Sequence, residues 1–405
     1  TTAATADVII TGEASSFFGV SLTSGDFNAD GKTDLAVGAT NSPRAYLFYN
    51  DGSIPTTAAT ADVIITGETF DSFGVSLTSG DFNADGKTDL AVGANGYSTI
   101  TGRAYIFYND GSIPTTAATA DVIITGETTN NQFGVSLASG DFNADGKTDL
   151  VAGALQYSSN TGRAYIFYNG SIVTENASGA DVIISGEGYF GSDLEAGDLN
   201  SDGKTDLVVG AYFYAFATGR AYIFHNDGSI PTTAATADVI INGTSDSDFG
   251  DSNTLSIGDF NNDGRIDLAV GGHKLHGDTV GYAYIFYNDG SMPATAATAD
   301  VIISGEKTSN YFGRSLVAGD FNGDGKTDLA VGAQAYASSR GRAYIFTSQN
   351  GQVNTNVNLT GETTSNYFGQ SLASGDFNAD GKTDLAVGAY GYSTNTGRAY
   401  IFYND

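Results

Sequence analysis

The 405-residue chain contains no cysteine at all. That absence removes disulfides, thiolate metal sites and a cysteine nucleophile together, and leaves the redox compartment open. Basic residues are scarce: 17 Lys and Arg stand against 46 Asp and Glu, for a formal charge of -29. A chain this acidic repels phosphate, so no nucleic-acid partner is expected. No apolar run approaches the roughly 18–20 residues of a membrane-spanning helix, so the chain is expected to be soluble, with no membrane insertion. The opening stretch TTAATADVII lacks a basic n-region, and any signal or anchor is expected to have been cut away. Helical 3.6-residue periodicity is missing as well. What is present is 40% apolar and 12% aromatic residues, enough to bury a large core without cross-links.

The dominant positive feature is repetition. The segment GDFNADGKTDL at Gly25 to Leu35 returns at Gly80, Gly140, Gly197, Gly258, Gly319 and Gly375, at separations of 55, 60, 57, 61, 61 and 56 residues. Each unit holds four short apolar runs bounded by Gly, Asn, Asp and Pro. In the second unit they are FGVSLTSGDF from Phe73, DLAVGA from Asp89, GRAYIFY from Gly102 and DVIITG from Asp121. Their length and their β-branched and aromatic content mark them as strands. Four strands per unit and seven units predict an all-β chain: one seven-bladed β-propeller over residues 1–405, each blade of four antiparallel strands. The chain opens on TTAATADVIITGE, a fourth strand, and stops after a third, GRAYIFYND. Residues 7–11 are therefore predicted to supply the outer strand of the seventh blade and so to lock the ring.

The repeated loop predicts metal. Asp, Asn, Asp, Gly and Asp stand at positions 1, 3, 5, 6 and 9, alternating oxygen donors around a tight-turn glycine, which is what a hard cation requires. In the first loop Asp26, Asn28, Asp30 and Asp34 offer side-chain oxygens, Lys32 offers its backbone carbonyl, and Gly31 permits the turn. The equivalent sets are Asp81, Asn83, Asp85, Lys87 and Asp89; Asp141, Asn143, Asp145, Lys147 and Asp149; Asp198, Asn200, Asp202, Lys204 and Asp206. They continue as Asp259, Asn261, Asp263, Arg265 and Asp267; Asp320, Asn322, Asp324, Lys326 and Asp328; and Asp376, Asn378, Asp380, Lys382 and Asp384. No Glu stands at position 12 and the flanks are strands, which excludes an EF-hand. Asn, Asp and Gly also make good metal-free turns, but three converging carboxylates repel one another unless a cation offsets them. About seven Ca2+, one per blade, are expected, in structural rather than catalytic roles. They would bring the formal charge to about -15.

Strand parity sorts the connections. The calcium loop, between strands 1 and 2, shares one end of the blade with the monotonous NDGSIPTTAATAD connection. The variable segments NGYSTIT at Asn95, YFYAFAT at Tyr212 and HKLHGDTV at His273 fall at the other end. Loops on a rigid scaffold carry function, so the variable face is the expected binding surface. It carries Tyr97, Tyr157, Tyr212, Phe213, Tyr214, Phe216, Tyr336, Tyr390 and Tyr392, which serve either to hold a partner or to pack loop on loop. Lys274, Lys307, Arg314 and Arg340, with His273 and His276, form a candidate basic spot in units five and six.

With FG at Phe73 and Gly74, then the acidic loop, then VGA at Val92 to Ala94, each unit resembles the FG-GAP repeat of integrin α-subunit heads and of bacterial surface proteins. FG recurs at Phe18, Phe133, Phe190, Phe249, Phe312 and Phe368, whereas the proline of GAP is absent from every unit. The resemblance implies a calcium-stabilised recognition propeller that takes its ligand on the face away from the metal loops. The expected function is extracellular or cell-surface recognition or adhesion of a protein or glycan partner, by a monomeric domain of a larger chain. A lectin and a purely architectural spacer are the alternatives. No Ser, His, Asp constellation stands out from the repeats, so no enzyme is expected.

Overall fold

The computed structural model describes residues 1–68, 71–273, 280–349 and 352–404, of which 349 and 352–356 are described by their backbone alone. The four apolar runs of each unit form antiparallel sheets in sequence order. Blade 1 consists of Phe18–Gly25, Asp34–Ala39, Arg44–Phe48 and Val63–Thr66. Five more blades follow the same order, and blade 2 gains a short parallel fifth strand, Glu175–Asn176, contributed by blade 3. In blade 7, Leu372–Gly375, Asp384–Ala389 and Arg398–Phe402 are completed by Val8–Thr11 from the start of the chain. Val8 pairs with Ile401 and Thr11 with Arg398. Ring closure by the first strand is thus as the repeat pattern predicts.

The first strand of every blade lies against the axis, and together these strands surround a cavity of about 180 Å³. The second strands are buried along their whole length, because each is covered on both faces by neighbouring blades. This explains why DLAVGA reads as a continuous apolar run rather than an alternating one. Apolar clusters fill the junctions between blades rather than the blades themselves. One joins Ile10, Ala399 and Ile401 of blade 7 to Phe18, Leu35, Val37 and Phe48 of blade 1.

The FG and GA motifs meet across each junction. A Cβ built on Gly38 would lie 2.1 Å from the carbonyl oxygen of Gly74 in the next blade, and that carbonyl also accepts a 2.7 Å hydrogen bond from Ser21 Oγ. Gly74 itself has φ +88° and faces the Arg44 carbonyl, so both glycines are required, one for space and one for backbone conformation. The aromatic half of FG anchors the strand start: Phe18 is fully buried with its ring edge-on to Tyr46 and Phe48, at 5.4 and 5.9 Å.

The variable loops are less plain than the sequence predicts. After Tyr97 three successive non-glycine residues, Ser98, Thr99 and Ile100, adopt φ of +42°, +56° and +62°, and the same left-handed turn recurs at 158–160, 215–217, 337–339 and 393–395. Each such residue costs roughly 1–2 kcal/mol, and the turn is held by contacts made beneath it, as described below.

If the N-terminal strand is an equal member of the ring, Ile10→Ala is expected to destabilise the protein by about 2–5 kcal/mol, the usual cost of such a core truncation. Ile65→Ala, its blade 1 counterpart, is expected to cost the same within error. Urea denaturation of the two variants measures this; a cost near zero for Ile10→Ala alone would show that the first strand does not lock the ring.

Candidate functional site

The acidic loops all lie at one end of the blades, as parity requires, and their geometry repeats closely. In the first loop the Asp26 carboxylate accepts from the Asp30 and Gly31 N–H groups at 3.0 and 2.8 Å, and Asn28 Oδ1 accepts from Asp30 N–H at 2.9 Å. Asp30 Oδ1 accepts from Lys32 N–H at 3.0 Å. Gly31 sits at φ +86° with open space where a Cβ would lie, so glycine is needed there for conformation, not room. The Lys32 ammonium donates to the Asn50 carbonyl at 3.0 Å and lies 3.5 Å from Asp30 Oδ2. The two bonds of the position 1 carboxylate to the N–H groups at positions 5 and 6 recur in the other six loops.

Position 9 behaves differently from the rest. Asp34 is fully buried, and its two oxygens accept from Phe27 N–H at 2.9 Å and Asn50 N–H at 2.7 Å. It therefore ties the inner hairpin to the end of the third strand. Burial raises its pKa to about 6 against those two hydrogen bonds, with the charges of Asp30 and Asp26 adding to the rise. Asp89, Asp149, Asp267, Asp328 and Asp384 are raised to about 6 by the same cause. In the sixth loop Asp328 Oδ2 is buried with no hydrogen-bond partner. In the fourth, His225 Nδ1 stands 3.1 Å from Asp206 Oδ2, and its pKa is raised chiefly by that bond.

The donor set in each loop therefore fits a hard cation in kind: three carboxylates, one amide oxygen and a backbone carbonyl, on one turn. The loop carboxylates also accept backbone N–H groups, and among the described residues no three acidic or imidazole side chains are drawn together as a metal cluster. A carboxylate has about four lone-pair sites, so accepting an N–H leaves capacity for a cation.

On the opposite face most of the tyrosines are packed. The guanidinium groups of Arg103, Arg163, Arg220, Arg342 and Arg398 lie 3.5–3.7 Å over the rings of Tyr97, Tyr157, Tyr214, Tyr336 and Tyr392. Each tyrosine opens a left-handed turn, and the cation–π contact stabilises it by about 0.5–1 kcal/mol. The same arginines pair with glutamates that follow the outer strand of the preceding blade, at 2.6–3.4 Å in Glu68–Arg103, Glu127–Arg163, Glu187–Arg220, Glu306–Arg342 and Glu362–Arg398. Tyr390 stacks on Tyr367 at 4.8 Å, and Tyr212 lies against Tyr189 at 5.1 Å. Phe213 packs edge-on to Tyr189 at 5.5 Å and stays 40% exposed. Loop packing thus engages eight of the nine aromatics singled out in the sequence, and Phe216, 87% exposed, is left open.

The basic spot does not assemble as one surface among the described residues. His273 is 1% exposed, and burial depresses its pKa to about 4. Arg314 donates to the Ser252 carbonyl, and the Lys307 ammonium lies 5.9 Å from the Tyr336 ring centre. Lys274 and His276 fall outside the described residues.

Two acids on the axis were missed by motif reading. Glu195 stands on the inner strand of blade 4, Leu194–Gly197, and Asp193 just before it, where the first unit has Thr23 and Ser21, and both line the axial cavity. The departure from the repeat was the signal that could have revealed them. Asp193 Oδ2 accepts from the Thr254 and Leu255 N–H groups of blade 5, both at 2.8 Å. Burial pushes Asp193 up to about 7 and Glu195 up to about 8, the latter helped by the charge of Asp193.

A carboxyl whose folded-state pKa is raised stabilises the fold below its unfolded value of about 4.5 and loses that contribution as pH rises through the folded value. Glu195→Gln is therefore expected to match the parent protein in stability at pH 5 and to exceed it at pH 8.5. Thermal melts of both proteins at the two pH values check this; parallel curves would mean that Glu195 titrates normally.

The chain is similar to proteins of known family. The FG-GAP repeat pattern matches residues 133–167, 190–224, 312–346 and 368–402, and the FG-GAP-like repeat pattern matches residues 26–92; together they cover more than half of the chain. Human phosphatidylinositol-glycan-specific phospholipase D is 32% identical over 303 residues, 65% of this chain and 35% of that protein. Integrin alpha-PS5 of Drosophila melanogaster is 30% identical, over 62% of this chain and 26% of its own length. Integrin alpha-5 of Xenopus laevis is 28% identical, over 60% and 24%. The chain thus spans about a third or less of these curated relatives. Seven blades, the FG and GA glycines that join them, and these matches show that the chain belongs to the FG-GAP repeat proteins, as a seven-bladed β-propeller resembling the integrin α head.

Proposed function

We propose that this propeller is a non-enzymatic, calcium-stabilised recognition domain that works outside the cell or at its surface and binds a protein partner through its variable-loop face. The observation that carries the reading is the division of labour between the two ends of the ring. One end holds seven near-identical oxygen-donor loops tied into the hairpins nearest the axis. The other holds irregular turns, of which blade 4 alone among the described residues presents an aromatic at its tip, Phe216. A phenylalanine 87% exposed at a loop tip contributes little to the stability of the ring and is available as an interface anchor.

In each loop the calcium ligands would be the side chains at positions 1, 3, 5 and 9 and the carbonyl at position 7, for example Asp26, Asn28, Asp30, Asp34 and Lys32. A bound ion would supply positive charge opposite carboxylates that otherwise repel one another. The chain's own part is to hold the inner hairpin in register: Asp34 reaches Phe27 and Asn50, and so couples the loop to the third strand. The relatives include integrin α subunits and a phospholipase. The chain covers only a fraction of either, and the catalytic activity in the phospholipase's name is not assigned to it. A lectin built on repeated aromatic sites is disfavoured, because five of the repeated tyrosines already carry an arginine on one face.

Chelation is expected to lower the melting temperature strongly, since a ligand that binds only the folded state stabilises it by mass action. Calorimetric titration is expected to count about seven calcium ions, and Asp26→Ala to remove one while the ring stays folded. An unchanged melt in excess chelator would sink the calcium assignment. For the binding face, Phe216→Ala is expected to weaken capture of the protein partner roughly tenfold or more, the scale of a hot-spot residue, without shifting the melt. Partners are to be sought on a matrix-protein and glycan array in millimolar calcium. Hits confined to glycans, or insensitive to Phe216→Ala, would count against a protein-binding variable face.

A further inference from the structure

The outer strand of each blade is an edge, and six of the seven edges are covered by the connector of the next blade. Thr11, Thr66, Ser185, Asn242 and Thr360 donate their N–H groups to the carbonyls of Thr56, Thr115, Thr232, Ala294 and Thr1, at 2.9–3.2 Å. The sixth edge, in blade 2, is joined in parallel by Glu175–Asn176. Directly after each covering segment a 3-10 turn sinks an alanine into the blade junction: Ala3, Ala58, Ala117, Ala177, Ala234 and Ala296, none more than 3% exposed.

Blade 6 departs from this scheme. Its third strand continues to Gln349 and pairs with Gln352–Thr360, with Ser348 opposite Val353 and Gln349 opposite Gln352. The described residues on either side of this connection, Ser348–Gln349 and Gln352–Val353, thus pair within their own blade, and none of them pairs with blade 5. Among the described residues nothing pairs with the outer edge of Val301–Ser304, and the Ser304 N–H has no counterpart of the acceptors named above. Ile303 stays partly exposed, whereas its equivalents Ile10, Ile65, Ile124, Ile184 and Ile241 are fully buried. A cavity of about 270 Å³ remains there, bounded by Val301, Ile303, Ser304, Phe312, Tyr344 and Phe346.

We propose that this edge docks an extended segment of a partner protein, of the Thr-Thr-Ala-Ala-Thr type, which adds to blade 5 in parallel. The six covered edges define the occupant. A backbone carbonyl accepts the Ser304 N–H, and a side chain no larger than alanine then enters the junction. Main-chain bonds supply affinity, and the junction, which takes an alanine at each of the six covered edges, supplies selectivity, as in other strand additions. A second copy of the chain is a poor occupant, because each covering segment of this kind in the described structure is already engaged and would bare one edge to cover another. The site lies on the outer rim, away from the variable loops, and does not rest on the reading of that face.

The test uses the full chain in calcium and a fluorescein-labelled peptide, SIPTTAATADV. Saturable one-to-one binding by anisotropy is expected, with hydrogen exchange at the Ser304 amide slowed at least tenfold. The same peptide with its first alanine replaced by tryptophan is expected to bind at least tenfold more weakly, as is the parent peptide to Ser304→Pro. If Ser304→Pro fails to fold, Ile303→Lys and the tryptophan peptide still decide. Equal binding of both peptides, unchanged exchange at Ser304 under saturation, or no binding at millimolar peptide would overturn the proposal. Protection of Ser304 that grows with protein concentration and without peptide would overturn it too, in favour of self-association.

Discussion

The ring depends on the closeness of its blades at the glycine contacts. The carbonyl of Gly74 lies where a side chain on Gly38 would be, and Ser21 bonds the same oxygen. The arrangement repeats in Ser76 to Gly134, Ser136 to Gly191, Ser192 to Gly250, Ser315 to Gly369 and Ser371 to Gly19. The last of these joins the final blade to the first, so closure uses the same contact as five internal junctions; between blades 5 and 6 the glycine contact of Gly271 with the Gly313 carbonyl remains, but Thr254 stands in place of the serine and donates to the Asp251 carbonyl. Any side chain at Gly38 must push two sheets apart, and the apolar clusters at the junction would open with them. This is the physical meaning of FG and GA: the motif is a paired constraint on two neighbouring blades, not a property of one.

From that constraint the two faces acquire different roles. The acidic loops sit over the inner hairpins and are tied by buried aspartates to the third strand, so events there act on the rigidity of the whole blade. The opposite loops are supported from below by arginines that bridge two blades, with a tyrosine on one side and a glutamate on the other. These pairs are partly exposed and each contributes at most about 1 kcal/mol, but their repetition holds strained left-handed turns at fixed places around the ring. Blade 5 is the irregular member. Tyr282 replaces the arginine, two extra residues lie between Phe249–Gly250 and the first strand Leu255–Gly258, and its neighbour presents the axial acids Asp193 and Glu195.

Much of this was legible in the residues. Strand type, blade count, ring closure by residues 7–11 and the sorting of loops by face all follow from period, turn chemistry and parity, and the pairings of Val8 with Ile401 and Phe133 with Ala154 agree with them. The composition of the acidic loops was legible too, although the full burial of Asp34 and its attachment to Asn50 were not. The tyrosines of the variable loops read equally well as ligands or as packing, because a ring's exposure depends on an arginine in another strand. The axial acids were passed over because Asp and Glu in an acidic chain carry no local signal beyond their departure from the repeat.

By itself the sequence determined the unit and its repetition: four strands, an oxygen-rich turn, and glycines placed for tight contact. These are encoded within a few residues, where backbone preference and side-chain alternation act directly. The tertiary structure alone decided which surfaces stay open. Phe216 is bare while Tyr97 is covered, Ile65 is sealed while Ile303 is not, and Glu195 faces a shared cavity. Each of these outcomes depends on a residue of a neighbouring blade, tens of residues away in the chain, and solvent exposure is set by that neighbour and not by local sequence.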